Sequence, residues 1–131
     1  LFDIRMPEDP IVVEADPDRL LQVFNNLLAN AIRYTPEGGR IQVNVWQDDC
    51  SARVSIRDDG IGIPPDKLET IFDIFEQLDR FLAAGDQGLG IGLSVAKSLS
   101  ELHGGGILAR SEGENRGCEF TVWLPHREVP R

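Results

Sequence analysis

Residues 16–57 read DPDRLLQVFNNLLANAIRYTPEGGRIQVNVWQDDCSARVSIR, and the hydrophobic period changes partway through them. Leu20, Val23, Phe24, Leu27, Leu28 and Ala31 recur at the three-to-four-residue spacing of an amphipathic helix. Asp16 is placed to be its N-cap and Pro17 its first residue, and the helix is predicted to run to about Tyr34. Thr35-Pro36-Glu37-Gly38-Gly39 stops it. From Ile41 the period drops to two: Ile41, Val43 and Val45 alternate with Gln42, Asn44 and Trp46, and Val54 and Ile56 continue the pattern through Ala52–Arg57. These two strands, joined across Gln47–Ser51, should pair as a hairpin. A helix followed by a hairpin, instead of strict strand–helix alternation, points to an α+β two-layer sandwich over a doubly wound sheet.

The flanks extend this plan. Phe2–Met6 and Ile11–Glu14 read as short strands separated by Pro7 and Pro10, which cannot donate to a central ladder. Beyond the hairpin, Asp58–Gly62 is glycine-rich, Pro64-Pro65 opens a short helix ending near Phe72, and Glu76–Gln87 lacks sustained periodicity and reads as a long loop. Gly90–His103 is a second long amphipathic helix, closed by Gly104-Gly105-Gly106. Gly106–Ser111 and Cys118–Leu124 form a last hairpin around Glu112–Gly117. Residues 1–125 make one domain and 126–131 a loose C-terminal tail.

A length of 131 residues, 41% hydrophobic and 27% charged, suits a single globular domain. The net charge of -9 speaks against nucleic acid as a partner, because phosphate neutralisation needs clustered Lys and Arg. An anionic ligand would need local help from backbone N–H groups, a divalent cation or a few placed basic side chains. Two cysteines, Cys50 and Cys118, define neither a disulfide framework nor a metal knuckle, so a reducing cytoplasm is expected. No apolar run approaches the ~20 residues of a membrane span, so no direct membrane contact is expected of this chain. Its start at Leu1 suggests an excised piece, whose parent would carry sensing parts or an inner-membrane anchor.

On the first long helix, Gln22, Asn26, Asn30 and Arg33 fall within roughly 80° of one another, at about 100° per residue. Such a polar stripe can simply face water. Solvated faces, however, favour Glu, Lys and Arg, whereas Asn is a poor helix former that is useful where it hydrogen-bonds or coordinates. Its carbonyl oxygen suits Mg²⁺ where phosphate oxygens and waters complete the shell.

Two glycine segments add to the stripe. In Asp58-Asp59-Gly60-Ile61-Gly62-Ile63-Pro64 the glycines permit positive φ or close approach to a flat ligand. The Asp58 carboxylate could accept from an exocyclic amino group such as adenine N6, which guanine does not offer; alone, the segment also fits an ordinary capped turn. Gly88-Leu89-Gly90-Ile91-Gly92-Leu93 opens a helix, whose free N–H groups and dipole favour an anion. It is not a Walker loop, since no Lys-Ser/Thr pair follows, nor a dinucleotide fingerprint, since its spacing is G-x-G-x-G after a long loop.

In combination these residues resemble the ATP-binding catalytic domain of bacterial sensor histidine kinases, in the superfamily that includes DNA gyrase, Hsp90 and MutL. QVFNNLLANAIRYTPEGG from Gln22 resembles the asparagine box, DDGIG from Asp58 the first glycine box, IFDIF from Ile71 the phenylalanine box and GLGIGL from Gly88 the second glycine box. SVAKSLSELHGG from Ser94 continues the pattern, so the likeness covers nearly the whole chain. It implies a Bergerat-type fold, with a mixed sheet covered on one face by helices, and ATP and Mg²⁺ as ligands. The implied partners are a dimerisation and histidine phosphotransfer domain of the same parent and, indirectly, a response regulator.

The resemblance also implies residue roles. Asn30 would coordinate Mg²⁺, Asn26 would contact phosphate or the metal shell, and Arg33 would reach a phosphate. Tyr34 would pack near adenine and Asp58 would read its amino group. Gly60, Gly62, Gly88, Leu89, Gly90 and Gly92 would shape the pocket and phosphate loop, with Ile63 and Leu93 as apolar walls. Glu76–Gln87 would be the ATP lid, with Arg80 on the γ-phosphate and Phe72 and Phe75 at its base; both phenylalanines equally suit a core role.

Two positions depart from the pattern. Gln22 lies near where ATP-hydrolysing relatives carry a water-activating Glu, and an amide cannot be that base. Transfer to a neutral imidazole needs no such base, so a kinase is favoured over an ATPase clamp. Cys118 stands where the family often has Thr in G-T-x-F. Neither His103, beside a helix C-terminus, nor His126, in the tail, fits a phosphoacceptor, and the chain contains no assigned catalytic residue. The competing reading is a regulatory module that binds ATP without transferring its phosphoryl group.

Overall fold

A computed structural model of the chain describes residues 2–8, 10–60, 62, 71–72, 92–113 and 116–125. In chain order they form β1 (Phe2–Arg5), α1 (Pro17–Tyr34), β2 (Ile41–Gln47), β3 (Ser51–Asp58), α2 (Gly92–Leu102), β4 (Gly106–Arg110) and β5 (Cys118–Pro125). The strands make one sheet in the order β1-β2-β3-β5-β4. β1 pairs parallel to β2, and the other pairings are antiparallel, so the sheet is mixed. This is the α+β arrangement that the sequence predicts, including both hairpins.

The first helix begins where its sequence says it should. The Asp16 carboxylate accepts from the Asp18 and Arg19 N–H groups at 3.0 and 3.3 Å, and Pro17, which has no N–H to lose, follows it. At the other end both the N–H and the hydroxyl of Thr35 donate to the Ala31 carbonyl. The second helix ends in a glycine motif: Gly104, at φ 82°, donates to Glu101 O and Gly105 donates to Ser100 O.

Val23, Leu27 and Ala31 of α1 and Leu93, Ala96 and Leu99 of α2 bury one face of each helix. They pack in one cluster with Ile41, Ile56, Ile107, Phe120, Val122 and Leu124 from the sheet. On β5 the alternation is plain: Cys118, Phe120, Val122 and Leu124 are buried and the residues between them are not. The edge strand β1 is covered least, with Phe2 54% and Ile4 60% exposed.

One expectation on the N-terminal side needs adjustment. The strand predicted over Ile11–Glu14 is reduced to an isolated bridge at Val13, its flanks unpaired between Pro10 and the cap at Asp16. The second helix is described over Gly92–Leu102, and its predicted first residues, Gly90 and Ile91, lie outside the described residues. The short helix predicted from Pro64 lies almost entirely outside them too; its last residues, Ile71 and Phe72, form a turn.

Candidate functional site

Asp58 ends β3 and is 4% exposed, on the helix-covered side of the sheet with Ile56. Its Oδ1 accepts the Gly60 N–H at 2.9 Å, the turn geometry available to an Asp two residues before a glycine. Its Oδ2 accepts the Cys118 S–H at 3.1 Å. Each carboxylate oxygen keeps a further lone pair for a ligand donor.

The surrounding backbone is built around close approaches. A Cβ at Gly60 would collide with the Tyr34 carbonyl, so the C-terminus of α1 rests directly on the turn. Gly117, at φ 69°, donates to Gly60 O at 3.1 Å, and a Cβ there would strike the Asp58 carbonyl. Gly62, at φ 73°, lies equally tight against the Gly113 carbonyl. The neighbouring Asp59 accepts the Arg40 N–H at 2.8 Å and returns its own N–H to Arg40 O at 3.2 Å, tying the turn to the start of β2.

On α1, Asn26, Asn30 and Tyr34 are half-buried and Arg33 is exposed. The Asn26 amide donates to the Gly92 carbonyl at 3.2 Å, which joins the asparagine stripe to the first residue of α2. Gly92 and Leu93 are buried at that junction. Phe72 is half-buried and meets Phe120 edge-on, with centroids 6.0 Å apart, while Lys97 Nζ lies 5.7 Å from its ring centre. Its packing is therefore that of a core aromatic. Ile63, Phe75, Arg80, Gly88, Leu89, Gly90, the segment 76–87 and His126 lie outside the described residues.

Two residues at the start of β5 complete the turn around Asp58. Cys118 touches the carboxylate directly, and Gly117 holds strand β5 against the turn; the local signal for both was the Gly-Cys pair opening that strand. Away from the site, at the far end of the helix pair, His103 Nδ1 donates to Leu99 O at 2.8 Å, as a residue capping a helix C-terminus would, and its Nε2 accepts the Asp16 N–H at 3.1 Å. The ring is thereby fixed in one tautomer and links the end of α2 to the cap of α1.

Elsewhere, a cavity of about 410 Å³ is lined in part by Arg57, Arg110, Arg116, Glu112 and Glu119. Its lining takes in Gly117 and Cys118 but neither the asparagines nor Asp58, so it adjoins the end of β5 away from the asparagine helix. At the β2–β3 turn, N–H groups of Cys50 and Ser51, with the Arg53 and Ser51 side chains, hold the Asp48 carboxyl well below the usual carboxylate range. Among the described residues, no group of three or more His, Cys, Asp and Glu is placed to hold a metal ion, and no helix is long and apolar enough to cross a membrane.

The arrangement can be compared with known proteins. The family described as histidine kinase-, DNA gyrase B-, and HSP90-like ATPase matches residues 15–128. The chain is 37% identical over 129 residues to the sensor histidine kinase WalK of Bacillus subtilis, covering 97% of this chain and 21% of that protein. It therefore spans about a fifth of that relative's length. Among solved structures, the mycobacterial sensor histidine kinase MprB superposes with a TM-score of 0.81 at 29% identity, over 98% of this chain and 83% of that one. Full-length ShkA in complex with AMPPNP gives 0.78 at 28% identity, over 99% of this chain and 27% of that one. With the mixed sheet, the buried strand-end aspartate and the asparagine helix in place, the chain belongs to the histidine kinase-, DNA gyrase B- and HSP90-like ATPase family.

Proposed function

We propose that this chain is the ATP-binding catalytic domain of a sensor histidine kinase, which presents Mg-ATP to a histidine on a separate dimerisation domain of the same parent. The observation that carries the reading is the Asp58 carboxylate: buried, held by Gly60 and Cys118, and set beside an asparagine-bearing helix. A carboxylate so placed can accept from the adenine amino group and so distinguish ATP from GTP. That ShkA was solved with AMPPNP supports the same choice of ligand.

The residues fit a magnesium–nucleotide complex better than a free metal. Without an acidic or His/Cys cluster among the described residues, a cation would depend on the Asn30 amide oxygen and on phosphate oxygens. Bound there, Mg²⁺ would neutralise charge that develops on the transferring phosphoryl oxygens. Asn26, already donating to Gly92 O, retains its Oδ1 for the phosphate side, and Arg33 supplies positive charge at the end of the stripe. Arg80 and the second glycine box are assigned to the phosphates, and Ile63 and Leu93 to the pocket walls. The imidazole of the partner domain attacks the γ-phosphorus, the bond to the ADP oxygen breaks, and the imidazole releases its proton.

Residues 1–125 would form the domain and 126–131 its tail, working in the cytoplasm as part of a parent that is anchored or sensory. The product phosphohistidine would pass its phosphoryl group to a response regulator. The test is to supply the parent protein with Mg²⁺ and γ-labelled ATP. Acid-labile, base-stable label on a histidine outside residues 1–131, lost in Asp58→Ala, is expected; label on His103 or His126 would overturn the division of labour.

A further inference from the structure

On the sheet face away from the helices, Glu119 of β5 pairs with Arg57 of β3 on one side and with Arg110 of β4 on the other. Arg57 precedes the buried Asp58 and Glu119 follows the buried Cys118, so strand alternation turns this row away from the core. Arg116, in the β4–β5 turn, and Glu112 join the row around the cavity of about 410 Å³. The three guanidiniums have no internal partner: among the described residues, no ion pair and no side-chain hydrogen bond engages Arg57, Arg110 or Arg116. Arg53, on the same face of β3, is by contrast held by Asp48 at 3.0 Å. The chain carries 22 acidic side chains against 13 basic ones, so three arginines left unpaired around one hollow stand out from a molecule of net charge -9.

We propose that this cavity binds a small phosphorylated molecule, its phosphate clamped by Arg57, Arg110 and Arg116. A guanidinium presents a rigid fork of N–H donors, which matches the oxygens of a carboxylate or a phosphate two at a time. One carboxylate satisfies one fork; a phosphomonoester, with close to two negative charges and three acceptor oxygens, can serve three. Glu112 and Glu119 in the same lining oppose a bare anion and accept hydrogen bonds, so they select a ligand whose organic part carries hydroxyl or amino groups. The volume lies at the small end of small-molecule sites, and an enclosed hollow of that size suits such a ligand better than a segment of protein. The cavity adjoins the Asp58 turn through Gly117 and Cys118, but Asn26, Asn30, Arg33 and Asp58 do not line it, so this ligand is additional to the nucleotide.

The test follows the arginine Nε–H signals of the chain by NMR while ribose 5-phosphate is added. Signals of Arg57, Arg110 and Arg116 should move together, with one affinity in the millimolar range or tighter, while that of Arg53 stays in place. Ribose without its phosphate should move none of them, and inorganic phosphate should bind more weakly than the ester. Arg110→Gln should weaken ribose 5-phosphate about 10-fold or more, the scale of a lost hydrogen bond between charged groups. Arg110→Lys, which keeps the charge and loses the fork, should recover only part of that loss. Both substitutions are at an exposed side chain, and an unchanged amide spectrum away from the cavity checks that the fold is kept. No movement of the three signals, or full affinity in Arg110→Gln, overturns the proposal. Full recovery in Arg110→Lys overturns the clamp, because charge alone would then suffice. Equal affinity for inorganic phosphate, or an oligoglutamate peptide that displaces ribose 5-phosphate, overturns the ligand class.

Discussion

The side-chain amide of Asn26 donates to the backbone carbonyl of Gly92 at 3.2 Å, so the helix that carries the asparagines and the helix that opens at the second glycine box are joined at the point where the phosphates are assigned. Asn26 thus has a packing duty besides the binding role proposed for it. Asn26→Asp would set a carboxylate oxygen against a carbonyl where a donor now stands. It should cost about 1–3 kcal/mol in urea denaturation, and nucleotide affinity should fall in parallel. Unchanged stability would mean that this bond does not hold the helices together.

The opposite end of the same helix pair is closed by His103, whose ring spans from Leu99 O to the Asp16 N–H. His103→Ala removes both bonds and should destabilise the chain by about 1–2 kcal/mol, read as a lower midpoint of unfolding. Because the ring lies at the end of α2 remote from Gly92, the ratio of ATP to GTP affinity should stay as it is. A changed ratio would show that this end of the helix pair reaches the base pocket.

Two glycines of the β4–β5 turn separate backbone strain from collision. Gly113 has φ 124° with open space around it, whereas Gly117 has φ 69° and abuts the Asp58 carbonyl. Gly113→Ala should cost about 1 kcal/mol from the backbone alone. Gly117→Ala should cost clearly more, above ~2 kcal/mol, and abolish adenine preference by displacing Asp58. Equal thermal shifts for the two variants would refute the packing of Gly117 against that carbonyl.

Asp48 gives a pH dependence of known sign. Its folded-state acidity is raised by N–H donors from Cys50 and Ser51, then by Arg53 and the Ser51 hydroxyl, so its carboxylate stabilises the β2–β3 turn. A depressed value means that this contribution is fully present above the unfolded value of about 4 and is lost as the pH falls below it. The stability gap between the native chain and Asp48→Ala should therefore be flat from about pH 5 to 8 and narrow towards acid. A gap that widens in acid would reverse the assignment.

Local signals carried most of the fold. Asp16-Pro17 set the start of α1, Thr35-Pro36 its end, and the alternation of Ile41–Trp46 and Ala52–Arg57 the first hairpin. At Ile11–Glu14 a short apolar run gave too little: among the described residues it makes only a bridge at Val13. Of the candidate site, the sequence showed residue types in order, the asparagines, Asp58 and the glycines, whose roles stand as proposed. The cross-links were not legible. Cys118 on Asp58, Asn26 on Gly92 and His103 on Asp16 each join residues at least 60 positions apart, and such contacts follow from register and helix packing that no short window contains.

The central claim is an adenine-reading, magnesium-dependent pocket made by Asp58 and Asn30. It is tested most directly by calorimetric titration of ATP, with and without Mg²⁺, into the native chain, Asp58→Ala and Asn30→Ala. Asp58→Ala should weaken ATP about 10-fold or more in both conditions, the scale of a lost hydrogen bond to a charged acceptor. Asn30→Ala should lose affinity chiefly when Mg²⁺ is present. Equal affinities of all three proteins for Mg-ATP would contradict the account.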